Sequence, residues 1–370
     1  MNETQFWKRL VIKVGSSLIS PNGEGCSSRY LLSIANFIVQ CQNAGTQVIL
    51  VSSGSVAAGK HWIPQKKSGV SVTAKKAMAA AGQANMMASW SALLDFQCAQ
   101  LLLSQSDFQV HDRYRSIRET IFELLKHNVL PIVNENDAVV TDDSRVGDND
   151  NLAASLAAAI EADALVICSD IDGLYDKEPS KNPEAKLLKE VDDISNKVYE
   201  MAGGAVSSVG TGGMVTKLQA AEKATSQGVA TYIVNGKKSE TFESLLRGKN
   251  PGTCFNPQQK LMSQKEHWLR HTTRAKGEVV VEDEVQNRLI ENNELNLNYK
   301  EIVDVGGEFS AGDTVLIRTD EGRKIAKAKS LCSSCVLNIF VNEDVDDTLL
   351  KKVMEPNQIV ESQVAAMYRI

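Results

Sequence analysis

The chain of 370 residues is 43% hydrophobic and 23% charged, ordinary values for a globular protein, and its length allows two or three domains. A net charge of −6 argues against a molecule built as a whole to bind polyanions. The N-terminal stretch MNETQFWKRLVIKVGSS lacks the uninterrupted apolar core of a signal peptide. The longest uncharged stretch, 77–94, contains Gly82, Gln83, Asn85 and two serines and reads as a buried or amphipathic helix rather than a membrane span, and seven scattered cysteines fit a reduced, cytoplasmic setting.

Taken in chain order, apolar strand-like runs alternate with helical spacing. RLVIKV (9–14) is a β-rich run ending at Gly15, and SRYLLSIANFIVQCQNAG (28–45) is helical with a terminating glycine. TQVILVSSG (46–54) is a second strand. Helices follow over 72–95 and 112–127, and NVLPIVNEND (128–137) is a strand running into a polar turn. NLAASLAAAIEA (151–162) is helical, DALVICSD (163–170) is a buried strand, 214–227 is helical and VATYIV (229–234) is a strand. This alternation predicts an α/β domain around a mainly parallel sheet. In such sheets ligands sit at the carboxyl ends of strands. The polar clusters GSS (15–17), SSGS (52–55), NEND (134–137) and SDIDG (169–173) all fall there, although strand-to-helix turns collect such residues in any case.

Residues 236–275 are polar, hold Pro251 and Pro257, and read as a connection. Beyond them GEVVVEDE, EIVDVGGEFSAGDTVLIRTDEGRKIAKAKS and SCVLNIF read as short β-runs, giving a small, mostly β module. Cys332 and Cys335 form one C-x-x-C pair, but a zinc site requires a second pair of ligands, and His267 and His271 lie far upstream with no matching spacing. DDSRVGDNDN has glycine at the sixth place of a calcium loop, counted from Asp142. The fifth place is Val146 and the twelfth is Ala153, so calcium binding is rejected and no metal ligand is assigned.

GTGGMVTK (210–217) fails the Walker A pattern, because Thr216 precedes the lysine and Leu218 follows it. Its glycines still let backbone approach a ligand, and a helix starting near Met214 would aim N–H groups at an anion. Lys217 in that first turn opposes the helix dipole unless an anion balances it; a solvated lysine on a surface loop is the alternative. Lys13 ends an apolar strand and needs a partner if buried, and Asp150 is the candidate, able also to orient Lys217. Two lysines tied by one carboxylate suit phosphoryl transfer, which needs positioning and charge neutralisation. The five histidines fall outside the polar clusters, which fits a carboxylate acceptor that is already ionised near neutral pH.

VIKVGSS, VSSGSVAAG, PIVNENDAV, VGDNDNLAAS, CSDIDGLYDKEP and GTGGMVTK stand in the order found in the amino acid kinase family, which this chain resembles nearly end to end; SKNPEAKL (180–187) and PGTCF (251–255) extend the match. The β module resembles a PUA domain. The resemblance implies a three-layer sandwich around the parallel sheet, with a catalytic domain over 1–262, a linker over 263–275, a PUA-like domain over 276–354 and a tail over 355–370. It further implies ATP-dependent phosphorylation of the γ-carboxylate of L-glutamate to glutamyl 5-phosphate, the first step of proline biosynthesis, with Mg²⁺ balancing phosphate charge. By the same resemblance Lys13, Asp150 and Lys217 are catalytic, and Ser53, Gly54, Asn134, Asp137 and Asn149 hold the amino acid. The nucleotide falls to Lys13, Ser169, Asp170, Thr211, Gly212, Gly213, Met214, Val215, Thr216 and Lys217. Feedback inhibition by proline, handover to a glutamyl phosphate reductase and assembly into dimers or tetramers are implied as well. Aspartate or N-acetylglutamate are rival substrates within the family. RNA binding through the β module is a rival of another class, opposed by its ten Lys/Arg against sixteen Asp/Glu; the basic run Arg318 to Lys329 then reads as one solvated face of a hairpin.

Overall fold

The computed structural model describes residues 7–63, 70–140, 148–202, 213–258, 275–283 and 297–342, with positions 269, 273, 285, 359–360 and 366–367. The chain divides into two compact units, Met1–Leu261 and Met262–Ile370. The linker and tail expected at 263–275 and 355–370 lie largely outside the described residues.

Unit 1 is built on an eight-stranded sheet. Its strands are β1 (Arg9–Val14), β2 (Gln47–Ser52), β3 (Cys98–Leu103), β4 (Leu130–Glu135), β5 (Ala164–Ser169), β6 (Glu190–Val191), β7 (Ala230–Asn235) and β8 (Thr253–Phe255). Their spatial order is β3-β4-β2-β1-β5-β7-β8-β6, parallel throughout except where β7 meets β8. After β1 the chain lays β2 beside it, runs to the edge as β3, returns as β4 between the two, then crosses to β5 and β7 on the other side. β1 is therefore the switch point, where such sheets open a crevice at their carboxyl ends.

The central strands are apolar on both faces because helices cover both. Period-two alternation sorts their side chains into two cores. Leu10, Ile12 and Val14 join Val48, Leu50, Ile132 and Val166 on one face. There they meet α2 (Ser28–Asn43), α4 (Val72–Ser91) and α9 (Ser239–Leu246), numbered along the chain with α1 (Ser16–Ile19) and α3 (Ser55–Gly59) between them. Val11, Ile49, Val51, Val133, Leu165 and Ile167 face the other way. Their partners are α5 (His111–Lys126), α6 (Asn149–Ala159), α7 (Asn196–Met201) and α8 (Met214–Thr225). The result is the expected three-layer sandwich.

Three segments depart from the sequence reading. β3 has no counterpart in it: as an edge strand it is only half covered, so its pattern is neither alternating nor continuously apolar. The stretch 236–275, read as a connection, contains α9 and β8. In α9 Phe242 and Leu245 are buried in the core and Leu246 packs against it, Phe242 lying 5.4 Å from Phe37 between ring centroids, and β8 is three buried residues added beside β7. Such short elements carry too few apolar residues to stand out against polar neighbours. The third is SCVLNIF, read as a strand, which instead begins α10 (Ser334–Asn342). Ser333 Oγ accepts from Val336 N at 3.4 Å, and buried Leu337 is followed four residues on by Val341 against the same core, a helical rather than a strand period.

Unit 2 holds a five-stranded sheet. The strands are β9 (Gly277–Val281), β10 (Ile302–Gly307), β11 (Thr314–Thr319), β12 (Lys324–Lys329) and β13 (Ala366–Met367), in the order β10-β9-β11-β12-β13. Its own core gathers Val279, Val281, Val305, Phe309, Val315, Ile317 and Ile325. The basic run lies on the β11–β12 hairpin. Arg318 forks onto Glu278 at 2.7 and 2.9 Å, Arg323 pairs with Glu321, and Lys327 Nζ donates to Thr273 O.

Candidate active site

Lys13 shares the strand parity of Val11, so its side chain enters the layer of α6 and α8. There its ammonium lies 2.5 Å from Asp150 Oδ1. Asp150 stands in the first turn of α6, whose start is set by Asp148, a cap accepting from Asn151 N at 3.2 Å. Lys217, in the first turns of α8, approaches the other oxygen, Asp150 Oδ2, at 3.2 Å. Thr216 Oγ lies 3.0 Å from the same oxygen and 2.8 Å from Gly213 O, so its single proton serves one of them at a time. All three charged residues are at most 6% exposed. The countercharge that Lys217 requires against the helix dipole is present in the protein itself.

Burial alone would raise the Asp150 carboxyl pKa. The fields of Lys13 and Lys217 overcome it and hold the group at about 2. Lys217 is moved below the ordinary lysine range, first by burial and then by repulsion from Lys13, with Asp150 opposing. Two cations against one anion leave this buried cluster one positive charge in excess.

A second polar cluster adjoins it through Asn149, the neighbour of Asp150. Asn149 Nδ2 donates to Ser53 Oγ at 3.1 Å and to Asn134 Oδ1 at 2.9 Å, while its Oδ1 accepts from Glu135 N at 3.1 Å. Ser53 N in turn donates to Val14 O at 3.1 Å, tying the turn after β2 to the end of β1. Gly54 follows with φ +102°, a conformation costly for other residues, and a Cβ there would come within 2.5 Å of Ile19. This turn starts α3, whose Ser55 accepts from Asn134 Nδ2 at 3.2 Å and reaches Asp137 Oδ2 at 3.4 Å. Asp137 is 5% exposed and its Oδ1 has no hydrogen-bond partner among the described residues; burial lifts its pKa to about 6 although Ser55 works against this. An unsatisfied, ionisable carboxylate oxygen beside neutral donors suits an incoming ammonium group.

Across β1, Ser169 ends β5, its Oγ 3.4 Å from Asp170 Oδ1, with Lys237 Nζ 3.6 Å from Asp170 Oδ2. Asp172 accepts from Asn235 Nδ2 at 2.9 Å and Lys238 Nζ at 2.6 Å, joining the turns after β5 and β7. Gly213, Met214, Val215 and Thr216 form the start of α8, while Thr211 and Gly212 lie outside the described residues. The structure thus brings Lys13, Asp150, Thr216 and Lys217 into one cluster and Ser53, Gly54, Asn134, Asp137 and Asn149 into an adjoining one. The sequence reading passed over Ser55 and Glu135. Both sit inside the polar runs SSGS and NEND, and position within the run was the only signal they gave. Glu135, 4% exposed, accepts from Asp148 N at 2.9 Å and so fixes the entry to α6.

Two buried ammonium groups set around one carboxylate at the switch point of a three-layer α/β sandwich can meet the charge of an anionic group such as a phosphate. The amino acid kinase family profile matches residues 8–235, more than half of the chain, and the chain belongs to that family; a PUA domain profile matches 277–342. It is 55% identical over 338 residues to the glutamate 5-kinase 1 of Pseudoalteromonas translucida, covering 91% of each chain. Against the glutamate 5-kinase of Idiomarina loihiensis the identity is 54% over 326 residues, 88% of this chain and 87% of the relative. The glutamate 5-kinase of Salinibacter ruber is 44% identical over 328 residues, again 88% and 87%. No helix among the described residues is long and apolar enough to cross a membrane.

Proposed function

We propose that this chain transfers the γ-phosphoryl group of ATP to the γ-carboxylate of L-glutamate, giving L-glutamyl 5-phosphate and ADP, the first step of proline biosynthesis. The carrying observation is the Lys13–Asp150–Lys217 cluster at the switch point, in a chain that is 55% identical to a protein named glutamate 5-kinase 1. A γ-carboxylate oxygen attacks phosphorus as the bond to the bridging oxygen of ADP breaks. The attacking group is already an anion, so no general base is needed. Lys13 and Lys217 meet the charge on the transferring group, and Asp150 fixes the spacing of the two ammonium groups.

The amino acid lies in the adjoining cluster, its ammonium on Asp137 Oδ1 and its remaining polar atoms on Ser53, Gly54, Asn134 and Asn149. The nucleotide lies toward Ser169, Asp170 and the start of α8. A Mg²⁺ ion accompanying ATP would balance phosphate charge and would need few protein ligands, taking most of its oxygens from the phosphates and water. That suits a site whose central carboxylate is already engaged by two lysines and Thr216. A cytoplasmic location, feedback inhibition by proline at the amino acid cluster, handover of the labile acyl phosphate to a reductase and a dimeric or tetrameric assembly complete the proposal. RNA binding by unit 2 is not favoured, since its basic hairpin residues Arg318 and Arg323 are paired with glutamates.

Purified protein given ATP, Mg²⁺ and hydroxylamine should form hydroxamate with glutamate and far less with aspartate or N-acetylglutamate. Hydroxamate from aspartate but not glutamate would overturn the substrate assignment.

A further inference from the structure

Trp90, in the last turn of α4, is fully buried and belongs to the core on the face of the sheet opposite Asn149 and Asp150. Its indole is nevertheless tied to the site. The Nε1–H donates to Ser52 Oγ at 2.8 Å, and the Ser52 hydroxyl lies 3.1 Å from Ser53 O. An indole N–H can only donate, so Ser52 Oγ must accept from it, and the serine's own proton is left to go to the Ser53 carbonyl. The direction of this chain is therefore fixed. Ser52 continues the parity of Val48 and Leu50 toward α4, whereas the next residue, Ser53, meets Asn149 of α6 at 3.1 Å. The turn from Ser53 to Gly54 is held on one side by Trp90 through Ser52 and on the other by Asn149.

We infer that Trp90 is a positioning residue for the amino acid substrate. It touches no reacting atom but sets, through Ser52, the turn that presents Ser53 and Gly54. The inference rests on the proposed reading of that cluster as the glutamate site. Trp90→Phe keeps most of the ring volume and removes the N–H. The serine hydroxyl then loses its donor and the turn its orientation. The expected result is a rise of about three- to tenfold in KM for glutamate, the range for one uncharged hydrogen bond. KM for ATP should hold and kcat should change less than twofold.

Ser52→Ala should give the same split, Ser52→Thr should restore much of the glutamate KM, and the Trp90→Phe/Ser52→Ala double variant should be no worse than the poorer single one. A merely structural tryptophan would instead lower the melting temperature and the active fraction, leaving KM for glutamate within twofold of wild type, and that outcome overturns the inference. Additive single effects in the double variant overturn it too. The glutamate reading itself is tested separately by the wild-type protein, which must turn over glutamate for any of these comparisons to be made.

Discussion

A buried carboxylate with one bare oxygen and another held between two ammonium groups should titrate very differently, and Asp137 and Asp150 allow the comparison. The pKa of Asp137 stands at about 6, above the roughly 3.9 of an unfolded chain, so at this group the empty protein loses stability as pH rises from about 4 to 6. A bound ammonium needs the ionised form. In the glutamate reading, kcat/KM for glutamate should therefore fall about tenfold per pH unit below pH 6, and Asp137→Asn should flatten that limb while lowering the plateau. A pH–rate profile between pH 5 and 8 checks this. Asp150 has the opposite sign: held at about 2, it contributes stability above about pH 4 that is lost as pH falls toward 2. Lys217→Ala should lower kcat by about 10²–10³-fold, as loss of one preorganised charge-stabilising donor does, with KM for glutamate much less affected; single-turnover kinetics separates the two.

Elements place these residues, and their legibility in the sequence varied with how many side chains each one buries. β1, β2, β4, β5 and β7 were evident because central strands are apolar on both faces, and α2, α5, α6 and α8 because each shows helical spacing. The residues at their junctions, Lys13, Asp150 and Lys217, stand at the ends of legible elements, so their convergence could be anticipated from topology. Ser55 and Glu135 could not be singled out, because their roles arise from contacts with residues about 80 positions away in one case and 13 in the other. Another such tertiary feature is the crossing of α3 and α4, where backbones meet with no room for side chains: a Cβ at Gly59 would overlap Met78 O, and one at Gly82 would overlap Ser55 O. Gly59→Ala should cost about 1–3 kcal/mol in a denaturant titration and raise KM for glutamate, since α3 carries Ser55.

At the scale of the whole molecule, every residue assigned to either cluster lies in unit 1, and unit 2 has a core of its own. A chain ended after Leu261 should therefore fold and still form glutamate-dependent hydroxamate, with circular dichroism and the activity assay as the checks. The alternation along β1 carries a different consequence for the intact chain. Because odd and even positions of this strand feed opposite helical layers, deleting or inserting one codon upstream of Lys13 within it would swing the ammonium into the hydrocarbon layer of α2 and α4. Two codons would restore the side while sliding the group by about 7 Å along the strand. Even-numbered changes should therefore spare the fold, because each apolar side chain of β1 keeps its own layer, while still costing activity, because Lys13 parts from Asp150; odd-numbered ones should cost both.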